Sequence, residues 1–255
     1  MIKLKNKTIK TSLIVVSISL NVLFLGYGVN KAHWKYNQSK TKRLIELEMH
    51  NINLTHPQPD TVKYIIARNK VFEILPKDTN EVIMLGNSLT HHFEWNEIFK
   101  NVNIKNRGIM GDISKGVLQR LDNTLESKPK KIFIEVGIND LLAGFAIDSV
   151  FKNYVSIIQT IKLKSPKTRI YMQNILPTNW FIYDTHVPVI NRICILNNQL
   201  KIYCNDNKIT FIDLYSNFQK NNSLNPKYDC GDHLHLSGAG YLLWCSLIKN
   251  YIYEK

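Results

Sequence analysis

Glu81-Val82-Ile83-Met84-Leu85-Gly86-Asn87-Ser88-Leu89-Thr90 is the stretch on which the fold turns. Four consecutive apolar residues, Val82 to Leu85, fit a short strand buried on both faces, and Gly86 ends it. Ser88 then stands at a turn from strand to helix. The pattern recurs downstream. Val102 to Ile104 is a second, weaker strand candidate, Ile132 to Val136 (IFIEV) a third, Ile170 to Ile175 a fourth and Ile209 to Leu214 a fifth. Helix-like segments separate them. One begins at Ser114, with Val117, Leu118, Leu121 and Leu125 on one face; Phe151 to Lys162 and Val189 to Tyr203 are two more. Ser237 offers an N-cap for a last helix to Tyr253. Upstream, a helix from Asp60 to about Leu75 presents Val62, Ile65, Ile66, Phe72 and Leu75 as a broad apolar face. Short apolar strands alternating with amphipathic helices predict an α/β protein. Its architecture is a three-layer α/β/α sandwich around a central, mostly parallel sheet of about five strands.

The chain has 255 residues, 44% of them apolar and 21% charged, which supports one large packed domain and excludes a disordered or collagen-like chain. Its net charge of +13 invites comparison with nucleic-acid binders, but the distribution argues otherwise. Residues 1–43 hold nine basic side chains and no acidic one, leaving 24 basic against 20 acidic, or +4, for the rest. No basic run interleaved with aromatics occurs there, so no nucleic-acid partner is expected. The same N-terminal segment contains Thr11 to Val29, an uncharged run rich in Leu, Ile and Val that follows four lysines. As a helix it would be about 28 Å long, close to the hydrocarbon thickness of a bilayer. No small-x-small cleavage site ends it. The expectation is therefore a basic tail and transmembrane anchor in residues 1–30, a tether in 31–59 and one domain in 60–255. The N-terminus would lie inside and the domain would be extracytoplasmic, periplasmic or at the cell surface. A cleaved signal peptide, giving a secreted protein, and a buried globular helix are the alternatives.

Open parallel sheets place ligands beyond the C-terminal ends of their strands, and the polar, glycine-rich clusters fall there. Gly86-Asn87-Ser88 follows the first strand, Gly108 to Asp112 the second and Gly137-Ile138-Asn139-Asp140 the third; Asp232-His233-Leu234-His235 precedes the last helix. Ser88 is the candidate nucleophile. A serine hydroxyl needs a base, and the base needs orientation. His235 can take its proton, and Asp232, three residues earlier, can fix the imidazole tautomer. Ser88 as a plain helix cap and His235 as a satisfied polar residue remain the alternatives on spacing alone. Acyl transfer also requires donors aimed at the developing oxyanion. The Ser88 N–H, the Gly111 N–H and the Asn139 amide are candidates, with a tight turn at Gly111 and a loop cap at Asn139 as the other readings.

Together these blocks resemble the SGNH/GDSL hydrolase family, the GDSL-like lipases and acylhydrolases. The family's first block, usually G-D-S, reads Gly86-Asn87-Ser88; the second reads Asn106-Arg107-Gly108-Ile109-Met110-Gly111-Asp112; the third reads Gly137-Ile138-Asn139-Asp140; the fifth is Asp232 to His235, followed by Gly240-Tyr241. The resemblance spans roughly residues 70–250. It implies a flavodoxin-like α/β/α fold, attack by Ser88 on an ester carbonyl, base catalysis by His235 oriented by Asp232, and an oxyanion hole of Ser88, Gly111 and Asn139. It implies no cofactor and no metal. Asn87 departs from the usual Asp; it can hold the turn but removes a charge near Ser88, with altered pH dependence as the consequence. Glu135 is a second oddity, a carboxylate in an apolar strand, expected to reach a polar partner or an open part of the sheet.

By analogy with compact members of the family, the expected substrate is a small acyl ester, an O-acetyl group on a carbohydrate. Phe93, Trp95, Trp180 and Tyr183 are candidate substrate-binding aromatics, with Phe181 beside them, and Asn179 to Pro188 is the candidate specificity loop. Core or rim positions are the alternative for these rings. Three other functions compete: a lipid ester hydrolase, a catalytically silent membrane-tethered carbohydrate-binding protein, and a metal-dependent hydrolase using His91, His92, His233, His235 and Asp232. Cys194, Cys204, Cys230 and Cys245 read as buried free thiols.

Overall fold

Five strands, β1 (Val82–Gly86), β2 (Ile104–Gly108), β3 (Lys131–Glu135), β4 (Arg169–Gln173) and β5 (Thr210–Ile212), pair in parallel in the order β2-β1-β3-β4-β5. This computed structural model describes residues 59–182 and 185–254. The apolar run Thr11 to Val29, the tether before Pro59 and Tyr183 lie outside the described residues. The strand order reverses between β1 and β3, so the chain leaves these two neighbours in opposite directions and opens a crevice at their C-terminal ends. Gly86 pairs with both Gly108 and Glu135 at that edge.

β1 and β3 are buried along their whole length, as their apolar runs require. Lys131, at the start of β3, is buried too. Its ammonium donates to the carbonyls of Tyr251, Ile252 and Glu254 at the end of the last helix, satisfying acceptors that the helix leaves open. β2 is an edge strand, which explains Lys105, Asn106 and Arg107 within it and why its apolar signal is weak. It begins at Ile104, later than the sequence suggests, because Val102 is exposed in the preceding turn.

The helices are α1 (Pro59–Ile74), α2 (Ser88–His91), α3 (Trp95–Ile98), α4 (Ser114–Gln119), α5 (Leu121–Leu125), α6 (Ile138–Leu142), α7 (Ile147–Lys164), α8 (Ile190–Asp206), α9 (Tyr215–Phe218) and α10 (Gly238–Tyr253). A short antiparallel pair, β6 (Gln219–Lys220) and β7 (Ser223–Leu224), follows α9. α7 buries Val150, Tyr154, Ile157, Ile158 and Ile161, a stripe of helical period that covers one face of the sheet. α10 covers the other with Tyr241, Trp244, Cys245, Ile248 and Ile252; the Trp244 indole donates to Gln173 of β4. Each such side chain contributes about 1.5–3 kcal/mol by leaving water. Ser237 caps α10 as its position predicts, its hydroxyl accepting from the Gly240 N–H.

Two helical expectations change. The segment from Ser114 is not one helix but two, broken at Arg120, whose side chain turns into the core rather than outward. On α1 only Phe72 is buried among the described side chains, while Ile66 and Leu75 are exposed. Phe72 is held between the guanidinium groups of Arg68 and Arg107, so cation–π contacts do part of the docking expected of an apolar face. Among the described residues no helix is long and apolar enough to cross a membrane.

Candidate active site

The turn after β1 is built by close approach. A Cβ on Gly86 would stand 2.2 Å from the Glu135 carbonyl oxygen and from the Thr90 hydroxyl, so no other residue fits there. Asn87 then caps α2, its Oδ1 accepting the Leu89 N–H at 2.9 Å, which is the role expected of it as a turn residue. Its Nδ2 is buried without a partner among the described residues. Asn106 of β2, a motif residue given no role from sequence, fixes the far end of this turn: its amide donates to the carbonyls of Thr90, His91 and Phe93 at 3.0, 3.1 and 3.0 Å.

Ser88, first residue of α2, meets the loop before α10. Its Oγ lies 2.9 Å from His235 Nε2, and His235 Nδ1 lies 2.6 Å from Asp232 Oδ2. Asp232 Oδ1 accepts the backbone N–H groups of Leu234 (2.9 Å) and His235 (2.7 Å). Partial burial works to raise the Asp232 carboxyl, but these two N–H groups and the His235 ring outweigh it and hold the group well below the usual carboxylate range. An ionised Asp232 accepts a hydrogen bond from Nδ1–H, which leaves the Nε2 lone pair facing the serine hydroxyl. The loop is anchored from outside. Trp180 Nε1 donates to the Asp232 carbonyl (2.6 Å), Thr178 Oγ1 to the His233 carbonyl (2.6 Å), and the Asn179 N–H to the same carbonyl (3.1 Å).

The three oxyanion candidates are linked through a buried scaffold rather than by direct bonds. Gly111 has φ +75°, a conformation that favours glycine. Asn139, in α6, donates from Nδ2 to the carbonyl of Asp112, the residue after Gly111, at 2.8 Å. The Ser88 and Gly111 N–H groups donate to no acceptor among the described residues. Arg120, missed by sequence reasoning, ties the pieces together: Nε donates to Asp112 Oδ2 (2.7 Å) and Nη2 to the Gly86 carbonyl (3.0 Å). Burial disfavours both charges, raising Asp112 and lowering Arg120, and their contact opposes it. Asp140 accepts from Ser114 N–H and Oγ, and burial pushes its carboxyl up to about 6.

Not every expected residue belongs to the site. Trp95 does not line a pocket; it is fully buried, its indole donates to the Thr90 carbonyl (2.8 Å), and its ring packs edge-on to Trp244. The reason is that the segment after α2 folds back beneath it. Phe93 is stacked on Tyr241 at 4.4 Å, at the border of the core. Trp180 lies beside Asp232 and Phe181 is exposed. Of the histidines proposed as metal ligands, His92 lies beside His235, with ring centres 5.1 Å apart, while His91 and His233 are bonded to other partners. His91 donates from Nδ1 to the Gly108 carbonyl, and His233 Nδ1 pairs with Asp229, not Asp232. Glu135 finds no polar partner and no opening: it is fully buried in a central strand, both oxygens are without partners among the described residues, and burial raises it to about 8. Cys204 and Cys245 are buried free thiols, as expected, whereas Cys194 and Cys230 are free but exposed, on the outer side of α8 and on the loop before α10.

The model of the GDSL-like lipase/acylhydrolase family matches residues 84–243. Human platelet-activating factor acetylhydrolase IB subunit alpha2 is 27% identical over 181 residues, 68% of this chain and 76% of that protein. The bovine subunit alpha1 is 28% identical over 177 residues, covering 67% and 74%. Among solved structures, a GDSL-like lipase from Bacteroides thetaiotaomicron superposes with a TM-score of 0.66 at 26% identity, covering 74% of this chain and 96% of its own. A lipase/acylhydrolase from Enterococcus faecalis shares the fold, with a TM-score of 0.57 at 21% identity, covering 68% and 95%.

Proposed function

The chain belongs to the GDSL-like lipase/acylhydrolase family and is an ester hydrolase, and we propose that it works through a serine acyl-enzyme on small acyl esters. The relay from Ser88 Oγ through His235 to Asp232, at 2.9 and 2.6 Å, carries this reading. Ser88 Oγ attacks the ester carbonyl while its proton passes to His235 Nε2. The resulting imidazolium faces the Asp232 carboxylate. The Ser88 and Gly111 N–H groups and the Asn139 amide receive the oxyanion. When the carbonyl re-forms, the alcohol leaves with the proton from Nε2. Water then attacks the acyl-serine, giving its proton to His235; collapse releases the carboxylic acid and returns the proton to Ser88.

The acyl group in this reading is acetyl, which the acetylhydrolase names of the curated relatives support. The alcohol is a carbohydrate hydroxyl, with Trp180 and the exposed Phe181 available to stack on a sugar ring. Thr11 to Val29 anchors the enzyme and the domain works outside the cytoplasmic membrane; the uncharged apolar run behind four lysines supports this. The test is turnover of a chromogenic acetate ester, then of acetylated xylan beside an acetylated phospholipid, by the full chain and by Ser88→Ala, each with and without a chelator. Turnover that resists the chelator and falls at least about 10³-fold in the variant supports the serine route. Activity retained by Ser88→Ala overturns it, and preference for the phospholipid overturns the carbohydrate assignment.

A further inference from the structure

We propose that His92 governs the acid side of the pH profile of hydrolysis by acting on His235, an inference that rests on the Ser88–His235–Asp232 reading. His92 follows α2 and stands four residues after Ser88, so the two side chains leave the same side of one helical turn. Its backbone N–H donates to the Ser88 carbonyl at 3.0 Å, which fixes that spacing. Its ring centre lies 5.1 Å from the His235 ring, with the planes at 45°. On its other side the His91 ring stands 5.5 Å away at 67°. His91 is committed at both nitrogens. Nδ1 donates to the Gly108 carbonyl, and Nε2 faces the Tyr64 hydroxyl of α1, each at 3.2 Å. The His92 nitrogens have no hydrogen-bond partner among the described residues, so His92 answers to the charges around it.

The groups facing it are His91 on its own segment, His235 and Asp232 on the loop before α10, and Tyr64 of α1 through His91. Burial first, then His235 and His91, push the His92 imidazole below its ordinary value, and only Asp232 works the other way. The charged form of His92 is therefore disfavoured beside His235. The reaction makes His235 an imidazolium, which Asp232 stabilises and a charged His92 would oppose. A proton on His92 thus opposes the charge that forms on His235 during the reaction. At about 5 Å in a water-like dielectric the repulsion slows the charged form about fourfold.

The experiment is the pH dependence of kcat/KM for the full chain, His92→Gln and His92→Lys on a chromogenic acetate ester, between about pH 5 and 9. Relative to the parent, His92→Gln gains rate on the acid limb by a factor of at most about fourfold, with no gain at about pH 8. His92→Lys, which keeps its charge, is about fourfold slower than His92→Gln at about pH 8. Profiles that superimpose after scaling, or variants that lose one common factor at every pH, overturn the proposal. Ser88→Ala in the same series separates the two readings. Activity surviving there sinks the serine route, while a Ser88-dependent enzyme with unaltered profiles sinks only the role of His92.

Discussion

Glu135→Gln isolates an unusual term in the stability of this protein. Glu135 ends the central strand β3 beside Gly86, fully buried, with neither oxygen partnered among the described residues. Burial alone raises its carboxyl from an ordinary 4.5 to about 8, so the folded protein keeps the proton where the unfolded chain has released it. Between those values the folded state binds more protons than the unfolded one, and stability falls as pH rises. At 1.36 kcal/mol per unit, the loss is about 3 kcal/mol by neutral pH and about 5 kcal/mol above about pH 8, beyond which it levels off. Glutamine matches the shape of the neutral acid and cannot ionise. Urea unfolding of both proteins at about pH 5, 7 and 9 reads the difference. The two should be nearly equal at the lowest pH, and the variant more stable by several kcal/mol at the highest. A difference that is the same at all three, or a parent protein that gains on the variant as pH rises, refutes the argument that Glu135 stays uncompensated.

Asp232→Asn keeps the shape beside His235 but removes the carboxylate; kcat should fall by about 10⁴ at neutral pH with KM little changed, measured on an acetate ester. Gly111→Ala forces a side chain into φ +75°; it should cost about 1–2 kcal/mol in denaturant unfolding and lower kcat more than it raises KM. Trp95→Phe removes the bond to the Thr90 carbonyl and should destabilise by about 1–3 kcal/mol without altering KM, whereas a raised KM with unchanged stability would return Trp95 to the pocket.

The parts of the fold legible in the sequence are those where one physical demand dominates. β1 and β3 are buried on both faces, so their residues form continuous apolar runs, and α7 and α10 carry stripes of helical period. β2 was blurred because an edge strand answers to solvent as well as to the core, and its Asn106 and Arg107 serve α2 and Phe72 rather than the sheet. The break at Arg120 could not be read from periodicity, since Leu121 and Leu125 continue the apolar spacing; its cause is a guanidinium drawn to Asp112 and Gly86 across the fold. Ser88, Asp232 and His235 are legible through the resemblance of their blocks to the family's motifs, since spacing alone leaves a helix cap and a satisfied histidine open, and the structure brings these three into one hydrogen-bonded line. Trp95 shows the opposite limit. An aromatic in a polar loop looks like a binding residue until the loop's path places it under α2, against Trp244.

The acyl-enzyme itself is the most direct measurement. The full chain mixed with an activated acetate ester is quenched in acid within the first turnover, digested, and the peptides weighed. The account predicts an acetyl group on the peptide containing Ser88, absent in Ser88→Ala. Turnover with no acyl group on Ser88 at any quench time, or the same acetylated peptide pattern in Ser88→Ala, would contradict it.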